Sequence, residues 1–227
     1  MNEKEIKDII VNSLGLEKGN IKEAYVTQSK KYELNTELLS QKSKAAHQEL
    51  FEKYSDQLNS ISAQLDVASR EDANSNNSEL RSLKMDETYN LNGSYLHALY
   101  FDNISDVNSI VMLDSLSYLR IERDFGSFDA WQEDFIGCAL ASRGGWALMV
   151  YSIPLQRYMN VVVDGHTTGV PIASIPIICL NVAEHSYFRD YLADRKTYIY
   201  AMMKEFNWDV IERRLRKAEK IQKLMGK

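Results

Sequence analysis

Four histidines, His47, His97, His166 and His185, are the residues of this chain best suited to general-base or metal chemistry. No two of them stand four residues apart, so no local pair on one helix face marks a metal site. Taken singly, each reads equally as a packed or a surface histidine. Only two cysteines occur in 227 residues, which excludes a disulfide scaffold and a cysteine-based zinc or iron–sulfur centre. Cys138 and Cys179 lie in apolar runs and read as buried free thiols. Any shared chemistry of the histidines must therefore come from the elements that carry them.

Those elements change character along the chain. Ile6, Ile9, Ile10 and Leu14 share a helical face near the start. Residues 21–67, rich in Lys, Glu, Gln and Ala, read as helix interrupted once near Asn35–Thr36. Residues 69–83 are polar and read as a loop, and residues 92–101 as helix. Residues 107–142 read as helix broken near Gly126, with Ser127 as a new N-cap. Three β-rich runs follow: Trp146–Ser152, Arg157–Val163 and Ile175–Val182. Ser186–Glu205 and the segment from Trp208 onward return to helix. Helices first and a small antiparallel sheet flanked by helices second define an α+β architecture.

Composition narrows the function. Apolar residues make up 44% and charged residues 26%, the balance of a globular protein. No run of 18 apolar residues suits a membrane span, and the charged start does not read as a secretory signal. A net charge of −5 argues against nucleic-acid binding by the chain as a whole. From Ile211 to Lys227, however, seven basic residues face two acidic ones, a local +5 that leaves −10 for the rest. This stretch reads as an amphipathic helix with a solvated basic face, or as a docking helix for an acidic partner or RNA.

Five blocks carry a resemblance. Asn181-Val-Ala-Glu-His185-Ser-Tyr187-Phe188, followed by Asp190-Tyr191, is similar to the D-V-W-E-H-A-Y-Y signature of the iron/manganese superoxide dismutases. The match continues through Arg195, Tyr198 and Asn207-Trp208-Asp209. Asp124-Phe125-Gly126-Ser127-Phe128, Gly145-Trp146-Ala147, the stretch from Asn92-Gly93 through His97 to Asn103-Ile104-Ser105, and Tyr54 with Leu58-Asn59 resemble four further family blocks, in family order. The resemblance implies a helical hairpin (residues 36–105) packed on an α/β part (106–210) with a three-stranded antiparallel sheet. A helical extension (1–35) would precede them and the basic helix (211–227) would follow.

The resemblance also implies a metal site between the two parts, held by three His and one Asp. His97 and His185 match two of the ligands, and Asn181 stands where the family has its Asp. Counted back from Tyr54, the first ligand position falls on Ala46, one residue before His47. One residue turns a side chain by about 100°, so His47 would need a helix shift to reach the site. His166 falls on the outer position beside the metal-bound solvent, and Tyr54 on the proton-delivering tyrosine. The signature Trp is Ala183, and a His–Tyr pair that links subunits in the family is replaced by Leu50 and Phe188. Glu184 matches the residue that reaches the neighbouring subunit's ligand.

The neutral Asn181 and the displaced His47 favour a vestigial site with no cofactor expected, or Fe or Mn if the site is retained. The leading expectation is a dismutase-fold protein without efficient catalysis, a structural component of a larger assembly such as a phage virion. The alternative is an active or weakly active Fe/Mn superoxide dismutase. Protein partners, a possible homodimer, a cytoplasmic or virion location and no membrane association complete the reading. Nucleic acid enters only through the basic C-terminal helix.

Overall fold

The computed structural model describes residues 27–105 and 109–225. The expected helix at residues 3–14 and most of the extension lie outside the described residues.

Helix α1 (Gln41–Val67) starts where Ser40 accepts a hydrogen bond from the Ser43 amide. Its buried positions, His47, Phe51, Ser55, Leu58, Ile61, Ser62 and Leu65, recur every three or four residues and form one stripe. Helix α2 (Glu79–Asn103), capped by Ser78, buries Leu83, Gly93, Leu96, His97, Tyr100 and Phe101 against it. The two helices run antiparallel: Ile61 and Leu65 meet Leu83 at one end, Ser55 bonds Ser94 midway, and His47 meets His97 and Phe101 at the other.

The second part begins with α3 (Leu116–Phe125), which stops at Gly126. That residue sits at φ 89°, a conformation that glycine adopts without a Cβ penalty. Ser127 then caps α4 (Phe128–Ala141) through the Ala130 amide. Strands β1 (Trp146–Ser152), β2 (Arg157–Val163) and β3 (Ser174–Asn181) form an antiparallel sheet in the order β2-β1-β3. Central β1 is buried throughout, and it pairs Trp146 with Val163 on one side and with Asn181 on the other. Helices α5 (Glu184–Tyr191), α6 (Arg195–Lys204) and α7 (Trp208–Met225) close the chain. The main core runs from α1 and α2 through the sheet to α7, with Tyr100, Phe101, Trp131, Trp146 and Tyr198 at its centre, and a smaller cluster of Ile61, Leu65, Ala68 and Leu83 closes the far end of the hairpin. Among the described residues no helix is long and apolar enough to cross a membrane.

Four sequence expectations change, the first being that residues 109–115, read as the start of a helix, are turn and coil before Leu116. Residues 27–40 are not helical despite their helix-forming composition. Their backbone is held by distant side chains: Asn59 bonds both the amide and the carbonyl of Thr27, and Gln48 does the same to Tyr32. Glu205 accepts from the Glu37 and Leu38 amides and Asp190 from that of Ser40, while Lys44 donates to the Thr36 carbonyl. These tertiary bonds override local propensity. Next, α2 begins at Glu79, inside the stretch read as loop, because Ser78 supplies a cap there. Finally, the Ser186–Glu205 stretch is two helices, α5 and α6, separated at Leu192, whose φ is 51°.

The basic terminal helix packs on its own chain. Arg214 is inserted between elements, donating to the Ile177 and Leu99 carbonyls and to Asn103. Glu212 accepts from the Leu116 and Ser117 amides at the start of α3, and Glu219 pairs with Arg120. Ile211 and Leu215 are fully buried, whereas Ile221 and Leu224 stay exposed.

Candidate metal centre

Helix α1 supplies His47, α2 supplies His97, the last residue of β3 is Asn181, and α5 supplies His185. Among the described residues His47, His97 and His185 form a group whose ligand nitrogens all lie within 4.8 Å of one another. Their ring centroids are 5.0–5.9 Å apart. His47 needs no helix shift to join them. It stands seven residues before Tyr54, and seven residues fall only about 20° short of two full turns, so both share the buried face of α1. Ala46 is exposed and stays out of the histidine group, lining only the open pocket outside it. The register that placed a ligand at Ala46 is corrected accordingly.

All three rings are held neutral. Burial drives the His47 pKa well below its ordinary value, and the neighbouring His97 and His185 push it further down. Burial brings His97 to about 3 against the opposing effect of its hydrogen bond to the Gly93 carbonyl, and it also lowers His185. The His97 Nδ1–H donates to the Gly93 carbonyl at 2.6 Å. Its Nε2 lone pair is therefore free and faces the centre.

Asn181 sits among the three rings. Its Nδ2 lies 3.2 Å from Nε2 of His47, 3.3 Å from that of His97 and 3.0 Å from that of His185. Its Oδ1 accepts from the Ala183 amide at 3.0 Å. Its backbone carbonyl accepts from Tyr198 and Ser186, which fixes the end of β3.

Beside the centre stands a second set of groups. His166, in the loop after β2, contacts the Tyr54 hydroxyl through Nε2 at 3.0 Å and the Trp146 indole through Nδ1 at 3.3 Å. An indole N–H only donates, so Nδ1 of His166 accepts and its proton resides on Nε2, directed at Tyr54. Burial holds His166 neutral, with a pKa of about 4, and pushes the Tyr54 hydroxyl up. Tyr54 itself lies flat on α2 at Gly93, where a Cβ would come within 2.9 Å of the ring.

Sequence reasoning overlooked Tyr89. Its ring packs on His166 at 4.6 Å between centroids and on Tyr54 at 6.2 Å, with its outer edge exposed. The available signal was spacing: Tyr89, Gly93 and His97 stand four residues apart on one face of α2. Glu184 is exposed. With His47, Leu50, His185, Phe188 and Arg189 it lines an open pocket of about 480 Å³ that reaches the centre from outside.

Comparison with known proteins agrees with this architecture. The family model described as iron/manganese superoxide dismutases, C-terminal domain, matches residues 116–214. The chain is 36% identical over 176 residues to superoxide dismutase [Fe] of Aquifex aeolicus, covering 78% of each protein. The same figures hold for superoxide dismutase [Fe] of Aquifex pyrophilus. It is 41% identical over 122 residues to superoxide dismutase [Mn] of Haloarcula marismortui, covering 54% of this chain and 59% of that protein. The chain belongs to the iron/manganese superoxide dismutase family.

The donor set fits such a metal in part. Three neutral imidazoles suit Fe or Mn, which supports these metals over the expectation of no cofactor. The fourth group is a neutral amide with its oxygen turned away.

Proposed function

We propose that this protein is an iron- or manganese-dependent superoxide dismutase. His47, His97 and His185 would hold the metal and Asn181 would stand at the fourth position. The observation that carries the reading is the convergence of three neutral imidazoles, His47 and His97 buried and His185 exposed at the mouth, next to the hydrogen-bonded Tyr54–His166 pair. A metal held by His47, His97 and His185 would supply the one-electron chemistry for disproportionation of two superoxides to O2 and H2O2, a reaction that consumes two protons.

This chain's residues serve the anion and the protons. The pocket at Glu184, His185 and Phe188 is the approach, and Arg189 on its rim offers positive charge to an anionic substrate. Because His166 donates to Tyr54, the tyrosine's own hydrogen points away from His166, on the side where Tyr89 is its neighbouring hydrogen-bond partner. Trp146 holds His166 in the tautomer this requires. Tyr89 covers the outer side of the pair.

The test is metal content and superoxide consumption of protein grown with iron or manganese, alongside His97→Ala and His185→Ala. The wild type is expected to carry metal and consume superoxide, and each variant to lose both. Stoichiometric metal without superoxide consumption would sink the reading. That result would favour the second reading, a non-catalytic component of a larger assembly such as a virion. The second reading draws on Asn181, Ala183 and the apolar Leu50 and Phe188, and it ranks below the first because His47 shares the buried face of α1 with Tyr54.

A further inference from the structure

Asn181 is placed as a ligand would be, but its chemistry is reversed. An amide nitrogen has no free lone pair, because it is delocalised into the carbonyl, and its two hydrogens make it a donor. Its two hydrogens face three ring nitrogens at 3.0–3.3 Å, and of these Nε2 of His97 is fixed as an acceptor by the Nδ1–H bond to Gly93. The amide is locked this way round by the Ala183 N–H, which needs an acceptor and finds Oδ1 at 3.0 Å. Ala183 is the N-cap residue of α5 and offers no capping side chain, so the direction of its N–H is set by the backbone. A carboxylate at this position would present an acceptor to both sides, one oxygen to the Ala183 amide and the other inward. The amide has a single acceptor oxygen and offers it to only one side at a time.

We propose that Asn181 is a hydrogen-bonded stopper of the histidine centre: metal is taken up only when its side-chain amide swings away or turns over, breaking the bond to Ala183. Turning over would set its NH2 against the Ala183 N–H, two donors facing each other where a hydrogen bond had been. The Asn181 amide thus already occupies the metal-free centre, and a metal competes with that arrangement rather than entering an open cage. The inference rests on the metal-centre reading above.

The experiment uses cobalt(II) chloride as the probe, with affinity measured by competition against a chromophoric chelator and uptake followed by the visible absorbance of bound cobalt. The full-length chain is compared with Asn181→Asp and Asn181→Ala, each checked by thermal melting. Asn181→Asp is expected to bind cobalt about 100-fold more tightly, on the scale of ligand-shell effects on affinity. Asn181→Ala, which removes a stopper but would also remove a ligand, is expected to bind at least as tightly as wild type and to load faster. Tenfold weaker binding by Asn181→Ala would overturn the proposal, since Asn181 would then be a ligand. Should the alanine variant fail to fold, Asn181→Asp decides alone: affinity and uptake within threefold of wild type would overturn it. No cobalt binding by any of the three proteins, with all of them folded, would overturn the metal-centre reading and this inference with it. Equal binding by all three would overturn only the inference.

Discussion

The Trp146 indole N–H meets Nδ1 of His166 at 3.3 Å, and this contact determines which nitrogen of His166 faces Tyr54 as a donor. Trp146 is itself placed by the sheet: as the first residue of β1 it pairs with Val163 and Asn181, so the strand that ends in the metal centre also aligns the tryptophan. The His166–Tyr54 pair and the histidine centre are in this way tied to one end of one sheet.

Trp146→Phe removes the donor while keeping most of the buried volume. His166 is left with an unpaired ring nitrogen, which costs about 1–3 kcal/mol, and its tautomer is no longer dictated. Urea denaturation should register a loss in that range. Superoxide consumption per bound metal should fall. Unchanged consumption at equal metal content would mean that the tautomer of His166 plays no part in turnover.

Gly93→Ala separates folding from function. Alanine improves a helix interior by about 1 kcal/mol, but its Cβ would stand 2.9 Å from Cδ1 of Tyr54 and push the ring away. The melting temperature should move by only a few degrees, while superoxide consumption per bound metal should drop about tenfold or more as Tyr54 leaves His166. A variant that melts and turns over like wild type would show that the ring has room to give.

The register of α1 is open to a direct swap. His47→Ala should abolish metal uptake. Adding Ala46→His to it should not restore uptake, because position 46 faces solvent about 100° around the helix. Elemental analysis of the two proteins decides it, and recovery of metal in the double variant would reverse the assignment of His47.

Acid should weaken the metal-free protein through its buried histidines. His166 has a pKa of about 4 in the folded chain against an ordinary 6.5, so on acidification the unfolded chain takes up the proton first. Its contribution is intact above about pH 6.5 and is lost as pH falls toward 4, at up to about 1.4 kcal/mol per pH unit. His166→Gln should flatten the stability profile across that window. A profile equally steep without His166 would assign the slope to other groups.

Much of the fold was legible because it is written in local patterns. The three-to-four spacing of Phe51, Leu58, Ile61 and Leu65, the Ser127 cap after Gly126, and the β-rich runs around Trp146, Arg157 and Ile178 each reflect forces acting within a few residues. The candidate ligands His97, His185 and Asn181 were legible through a motif whose order along the chain is preserved. Tyr89 escaped because a lone half-exposed tyrosine has no local signature, and it acquires meaning only once the loop carrying His166 folds over it.

By itself, then, the sequence determined the α+β order of elements and which residues could meet. Tertiary structure alone decided three things. Residues 27–40 became an extended strap because their partners, such as Glu205, lie as far as 168 residues away, beyond the reach of any local propensity. His47 turned inward because α1 is a regular helix packed by the face it shares with Tyr54. Asn181 points its NH2 at the histidines because one backbone N–H, that of Ala183, claims its oxygen. Hydrogen-bond direction of this kind depends on where a donor sits in space, and residue type along a chain does not encode it.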